Sequence, residues 1–221
     1  MDGSMKNSLV IVVLMLVGSV SAQVSFNAGS STLKGFGTPK WFTGFHVGAE
    51  IPRDDAMSFF GRYTHHFSRF GDTTLIGAVA NDPATTTPYI QQVAATHGMN
   101  YNIFEGGSRY YIGDGFDFGF AGYGGTTFMI VYSKVKSRYS DYDQSLYTID
   151  ESTSRDGAIF ALGAGLMGGG KYTVPRIGTF YSDFSVNYLF LGQASTENIY
   201  ADMYSNLFFS ISVGYRRDLF W

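Results

Sequence analysis

The residues best suited to chemistry are few. His66-Phe67-Ser68 puts an imidazole two positions from a hydroxyl, and in an extended chain residues two apart share a face. With an acidic partner, such a pair can activate the serine as a nucleophile. No acid can be assigned to it from sequence, and a three-residue match arises easily by chance. A larger set is His46, Glu50, Arg62, His66, Glu105, Arg109, Asp183, Arg216 and Asp218, each on the same parity of its own segment. Charges turned into an interior must be paired. Such a set can carry protons or ions, but the simpler reading is a network of salt bridges that stiffens a closed interior. Glu105 and Arg109 are one expected pair within it. Asp141-Tyr142-Asp143 offers two carboxylates in a polar loop, but the glycine and terminal glutamate of a calcium loop are missing. No metal site and no cofactor are expected.

The elements that must position these residues are strands. Trp41, Thr43, Phe45, Val47, Ala49 and Ile51 alternate with Phe42, Gly44, His46, Gly48 and Glu50. After the turn 52–55, Met57, Phe59, Gly61 and Tyr63 alternate with Ser58, Phe60, Arg62 and Thr64. A strand, a Pro/Asp turn and a strand predict a hairpin. The unit recurs at 99–112 with 118–136 and at 158–172 with 178–191. A final strand, 206–221, sets Leu207, Phe209, Ile211, Val213 and Tyr215 against Ser210, Ser212, Gly214, Arg216 and Asp218. A weaker strand over 23–30 makes eight. Short turns near 52–55, 113–117 and 173–177 alternate with longer polar segments at 31–40, 70–98, 137–156 and 192–205.

Composition narrows the class. Aromatics reach 17%, Gly numbers 28 of 221, and charged residues are 15%, against roughly 25% in ordinary globular domains. A net charge of -3 argues against a nucleic-acid partner, which calls for a basic footprint. With no cysteine, disulfides, thiol catalysis and Cys-based metal sites are excluded. At the start, Lys6 precedes the apolar run Leu9–Val17, and Ser19-Val20-Ser21-Ala22 supplies small or branched residues. That order is a secretory signal peptide over 1–22, followed by a barrel over 23–221. The apolar run is far shorter than the ~20 residues of a helical span.

Together these features predict an all-β chain, an eight-stranded antiparallel transmembrane β-barrel after a cleaved signal peptide. One face of most strands is apolar and aromatic; the other is Gly, Ser, Asn, Asp or Arg. A sheet in lipid cannot leave an edge, and eight strands enclose an interior that side chains fill. Gly44, Gly48, Gly163, Gly165, Gly169 and Gly214 fall on the inward parity, where they leave room for larger partners. Trp41, Tyr63, Tyr215 and Trp221 suit the membrane-interface aromatics, and His65 an interfacial position. Tyr89, Tyr139, Tyr142, Tyr147 and Tyr200 are candidate contact residues in the outer loops, since Tyr supplies area at low entropic cost.

The run Glu105-Gly106-Gly107-Ser108-Arg109-Tyr110-Tyr111, with Gly122-Tyr123-Gly124-Gly125 beyond a turn, resembles the central hairpin of small outer-membrane barrels of the OmpA/OmpX type. The ending Gly214-Tyr215-Arg216-Arg217-Asp218-Leu219-Phe220-Trp221 is similar to the aromatic C-terminal assembly signal of that class, in a Bacteroidetes-like style. The resemblance implies a Gram-negative cell-envelope protein in the outer membrane, porin-like in architecture and not an enzyme. It implies outer-membrane lipid and the barrel-assembly machinery as partners, with other envelope proteins as possible ones, in a structural, recognition or adhesion role. Two alternatives stay open: a narrow pore, and a lipid A-modifying barrel enzyme, since barrels of this size that deacylate lipid A use a His-x-Ser pair like His66/Ser68. The exported protein is expected to begin at Gln23, which N-terminal sequencing of the membrane-extracted chain checks; retention of residues 1–22 would make the leader an anchor.

Overall fold

The computed structural model describes residues 24–149, 157–192 and 203–219. The expected leader (1–22), Tyr200 and Trp221 lie outside them. Strict alternation dictates the local structure. In Gly178–Gly192, for example, Phe180, Phe184, Val186, Tyr188 and Phe190 are exposed while Tyr181, Asp183, Ser185 and Asn187 are buried. β-branched and aromatic residues at every second position fit a pleated surface with two different environments.

Among the described residues there are nine strands: β1 (Ser25–Gly35), β2 (Trp41–Asp54), β3 (Met57–Ala80), β4 (Ile90–Gly113), β5 (Gly119–Tyr139), β6 (Tyr147–Ile149), β7 (Gly157–Val174), β8 (Gly178–Gly192) and β9 (Leu207–Asp218). Eight form a ring in which each pairs antiparallel with its chain neighbours, β5 joining β7 directly. β1 closes the ring on β9, from Ser25↔Asp218 to Gly35↔Phe208. The three-residue β6 stands outside the ring, paired to the upper end of β3 at Ala78–Ala80. The architecture is an eight-stranded up-and-down β-barrel.

Several expected boundaries need correction. The segment expected as a loop over 70–98 is mostly strand: β3 and β4 have 24 residues each, about 80 Å of strand, where about 9–11 tilted residues cross a bilayer. They leave the ring as a tall hairpin joined by residues 81–89 alone. Two register shifts in β3, between His66 and Arg69 and between Phe70 and Thr73, each insert one residue and break the period-2 pattern, which hid the strand. β1 runs to Gly35, so the first outer connection is only 36–40, no longer than the opposite turn 114–118. Longer and shorter connections still alternate along the ring, each outer one exceeding the turns that flank it in sequence; the two of equal length are not neighbours.

Above the ring, Ala78, Ala80, Val93 and Tyr147 make a small separate core, with Ile76, Tyr139, Tyr142 and Ile149 packed on it. Tyr147 donates to the Pro88 carbonyl at 3.0 Å, and Asn81 Nδ2 donates to the Ser145 carbonyl at 3.0 Å. Tyr139, Tyr142 and Tyr147, expected as contact residues, thus hold the arm together instead; Tyr89 remains exposed.

Inside the ring, close approach requires glycine opposite two tyrosine rings. The Tyr181 ring lies across Gly214, where an added Cβ would stand 2.5 Å from its hydroxyl, and Tyr123 covers Gly169 at 2.7 Å. Outward Gly61 has open space around it. Gly214→Ala is therefore expected to lower unfolding stability by about 1–3 kcal/mol through overpacking. Gly61→Ala should be neutral or stabilising by up to about 1 kcal/mol. Urea unfolding of the refolded barrel reads both, and equal effects would show that the lumen is loosely filled.

Candidate functional site

The candidate site is the lumen together with the outer wall that surrounds it. All nine residues of the sequence-derived lumen set are buried: His46, Glu50, Arg62, His66, Glu105, Arg109, Asp183, Arg216 and Asp218. Counting Lys171, the buried charged side chains among the described residues are four cations (Arg62, Arg109, Lys171, Arg216) and four anions (Glu50, Glu105, Asp183, Asp218). The formal charges cancel, as a desolvated interior requires.

The pairs run across the lumen and between neighbouring strands. Arg62 and Glu105 are direct register partners on β3 and β4, and the Arg62 Nε donates to the Glu105 carboxylate. Arg62 Nη1 also donates to Asp183 at 3.2 Å. Arg109 bridges Glu50 at 2.8 Å and Asp183 at 3.1 Å, with its guanidinium over the Phe60 ring at 4.5 Å. Glu50 further accepts from the Ser58 and Tyr111 hydroxyls. Arg216 approaches Glu50 at 3.6 Å and Asp218 at 3.5 Å, and Ser25 donates to Asp218 across the seam. The expected pairing of Glu105 with Arg109 is not formed. Residues four apart on one strand are separated by about 13 Å, so each takes a partner from another strand.

The charges occupy the lower and middle storeys of three. At the lower mouth the turn 114–118 folds inward and buries Phe116. Its ring lies 3.7 Å under the Arg216 guanidinium, and its carbonyl accepts from Lys171 Nζ and Arg216 Nη2, each at 2.9 Å. The upper lumen is apolar: Leu33, Phe42, Met99, Tyr101, Met129 and Val131 belong to one buried cluster, joined from the fourth outer connection by Met203. Tyr101 donates to the Met203 carbonyl at 2.8 Å. The polar inward face expected of most strands does not extend into this upper part. Apolar residues on both faces of β5 reflect it, with Met129, Val131 and Val135 inward and Phe128 and Ile130 outward.

Sequence reading missed Tyr111, Tyr123, Lys171 and Phe116 as lumen residues. Parity with Arg109 and Gly169 places Tyr111 and Lys171 inside. Phe116 lies in a turn, where no periodicity reaches it.

His66 and Ser68 do not share a face. His66 is buried in the lumen, whereas exposed Ser68 lines a groove on the outer wall with Lys134 and Lys136. The residue inserted after His66 reverses the parity, so the imidazole and hydroxyl cannot act together. Of the interface aromatics, Trp41 is outward, edge-on to Phe209 at 5.7 Å; Tyr63 packs on Phe104 at 4.8 Å and donates to Asn102 at 2.9 Å. Tyr215 packs on Phe180 at 5.5 Å and donates to the Ile177 carbonyl at the lower rim. Outward His65 bonds Asn102 at 2.8 Å. In the outer loop, the Ser145 hydroxyl and amide hold the Asp143 carboxyl below the usual range; its oxygens serve a turn.

Large apolar side chains are exposed on every strand of the ring, among them Phe26, Phe45, Phe59, Phe104, Phe128, Phe160, Phe184 and Ile211. A continuous belt of this kind exceeds the patches that soluble monomers expose. A closed ring with a filled interior and an apolar exterior is the architecture of outer-membrane β-barrels.

The chain matches no protein-family profile and no curated protein sequence. Among solved structures it is similar to a major outer membrane protein from Thermus thermophilus, at 11% identity and a TM-score of 0.50, covering 90% of this chain and 100% of that one. It is also similar to Neisserial surface protein A, at 13% identity and 0.49, covering 89% and 96%. A third is Ail, the attachment invasion locus protein of Yersinia pestis, at 15% and 0.44, covering 89% and 97%. At such identities the likeness speaks of the fold alone, and the Thermus protein supports it.

Removing one member of the lumen network strands its partner in a buried interior, so Arg109→Ala is expected to cost about 3–5 kcal/mol. In double-mutant cycles read by urea unfolding, Arg62 with Glu105 should couple by about 1–3 kcal/mol. Glu105 with Arg109 should couple more weakly, because Arg62 and Asp183 stand between them; the reverse order would contradict this pairing.

Proposed function

We propose that this chain is an outer-membrane β-barrel of the OmpA/OmpX type, exported through a cleavable leader over residues 1–22. Its work is non-enzymatic, as a rigid scaffold that presents a recognition surface outside the cell or docks beside other envelope proteins. The observation that carries this reading is the combination of a filled lumen with an apolar belt on all eight ring strands. A chain shaped for conduction would keep a water-filled interior. Here Phe116, the Arg/Glu/Asp network and the Leu33–Phe42–Met99 storey occupy it in turn. The β3–β4 arm with its own small core supports recognition, since loops on a rigid scaffold are where binding concentrates. Lipid and the barrel-assembly machinery are the partners this reading calls for. The C-terminal run up to Trp221 would provide the assembly signal, in the Bacteroidetes-like style of the sequence.

The protein is expected to require detergent for extraction and to migrate differently on SDS gels with and without boiling. In planar bilayers it should give no stepwise conductance. A soluble chain without a heat-dependent shift would overturn the membrane reading, and discrete unitary steps would overturn the closed lumen.

A further inference from the structure

The outer wall carries one feature that a scaffold does not need. Lys134, Lys136 and Arg138 follow one another on the outward parity of β5 and line a groove of about 340 Å³ with Ser68 and Asn100. None of the three cations forms an ion pair with a described residue; the described ion pairs all lie in the lumen. Arg138 lies over the Phe70 ring at 4.1 Å, which holds its guanidinium against the wall. Asn100 Oδ1 accepts from the Lys134 amide at 2.9 Å, fixing the strand at the groove's lower end.

A second groove, about 530 Å³, adjoins the first through Asn100 and Lys134 and is lined by Tyr63, Phe104 and Tyr132. Going up the outward face of β5, the residues run Phe128, Ile130, Tyr132, Lys134, Lys136 and Arg138. The order is hydrocarbon-facing, then aromatic, then cationic. From Phe120 to Tyr132 is about 40 Å of strand, or about 30 Å along the axis at a tilt of about 40°, comparable to the apolar band of such barrels. The cations therefore stand at headgroup height on the side of the longer connections, above an aromatic wall that an acyl chain can follow.

We propose that this double groove binds a phosphorylated glycolipid of the outer leaflet, with its phosphate on Lys134, Lys136 and Arg138 and an acyl chain along Tyr132, Tyr63 and Phe104. The proposal rests on the outer-membrane reading above. Three cations that pair with no described carboxylate select an anion, and charge-assisted contacts to phosphate are the strong ones available to them. The adjoining groove offers the aromatic faces of Tyr63, Phe104 and Tyr132 beside Asn102, which an acyl chain can cover and a soluble anion does not use.

The test uses the full chain, refolded and inserted in phosphatidylcholine nanodiscs that contain lipid A carrying its phosphates or enzymatically dephosphorylated. Native mass spectrometry reads retained glycolipid. The wild type should retain phosphorylated lipid A at least tenfold better than the dephosphorylated form. A Lys134→Gln/Lys136→Gln/Arg138→Gln variant should lose that preference, while Lys34→Gln, beside Trp41 on another part of the wall, should keep it. If the triple variant does not refold, Lys136→Glu alone should reduce retention, since Lys136 is exposed and forms no ion pair with a described residue. Equal retention by wild type and variant, or of both lipid forms, overturns the proposal. So does full competition by soluble inorganic phosphate or a sulfated oligosaccharide, which would make the ligand a soluble anion. A barrel that stays heat-modifiable yet retains no glycolipid sinks this inference alone; a chain that never inserts sinks the reading beneath it.

Discussion

The seam between β1 and β9 joins the two ends of the described barrel through an uninterrupted antiparallel register, from Ser25↔Asp218 to Gly35↔Phe208. With the other seven pairings it leaves no free edge in the ring, so main-chain donors and acceptors are satisfied without water. Everything else follows from that closure. A closed sheet has an inside and an outside, and each alternating strand must send one half of its residues to each. The outside becomes a wall of Phe, Ile, Leu and Val; the inside becomes a narrow column that must be filled.

That column is filled by matching chemistry to height. Near the lower mouth, an aromatic ring and two cations share the Phe116 backbone carbonyl. In the middle, guanidinium groups are held between carboxylates from strands on opposite sides of the ring, so the network braces the barrel across its diameter as well as along its wall. Above it, hydroxyl and amide side chains link Thr127, Asn187, Ser185 and Ser210 at 2.8–3.0 Å before the apolar storey begins. Glycines opposite Tyr181 and Tyr123 let these large rings lie flat against the wall.

The upper part of the molecule obeys a different constraint. Once β3 and β4 rise beyond the ring they can no longer bury a face in the lumen, and they make their own core with Tyr139, Tyr142 and Tyr147. The two residues inserted into β3 mark the passage between these regimes. The first turns Ser68 and Phe70 onto the outer wall, where they meet the basic end of β5. One irregularity in the ladder thus removes a hydroxyl from His66 and contributes it to the groove.

Strand existence, the parity of His46, Glu50, Arg62, Glu105, Arg109, Asp183 and Arg216, and the closed eight-stranded ring were all legible in the sequence. Each rests on a period of two, which is a local property of the chain. The partners of those charges were not legible. Whether Glu105 meets Arg62 or Arg109 depends on register between strands and on reach across a lumen, and both are set only when the ring closes. The length of β3 and β4, the insertion that parts His66 from Ser68, and the inward fold of Phe116 were hidden for the same reason. A bulge or a turn interrupts the local pattern, and the stability of the interrupted segment comes from neighbours distant in sequence. Residue order therefore determined which face each side chain would take; tertiary closure decided which side chains would meet.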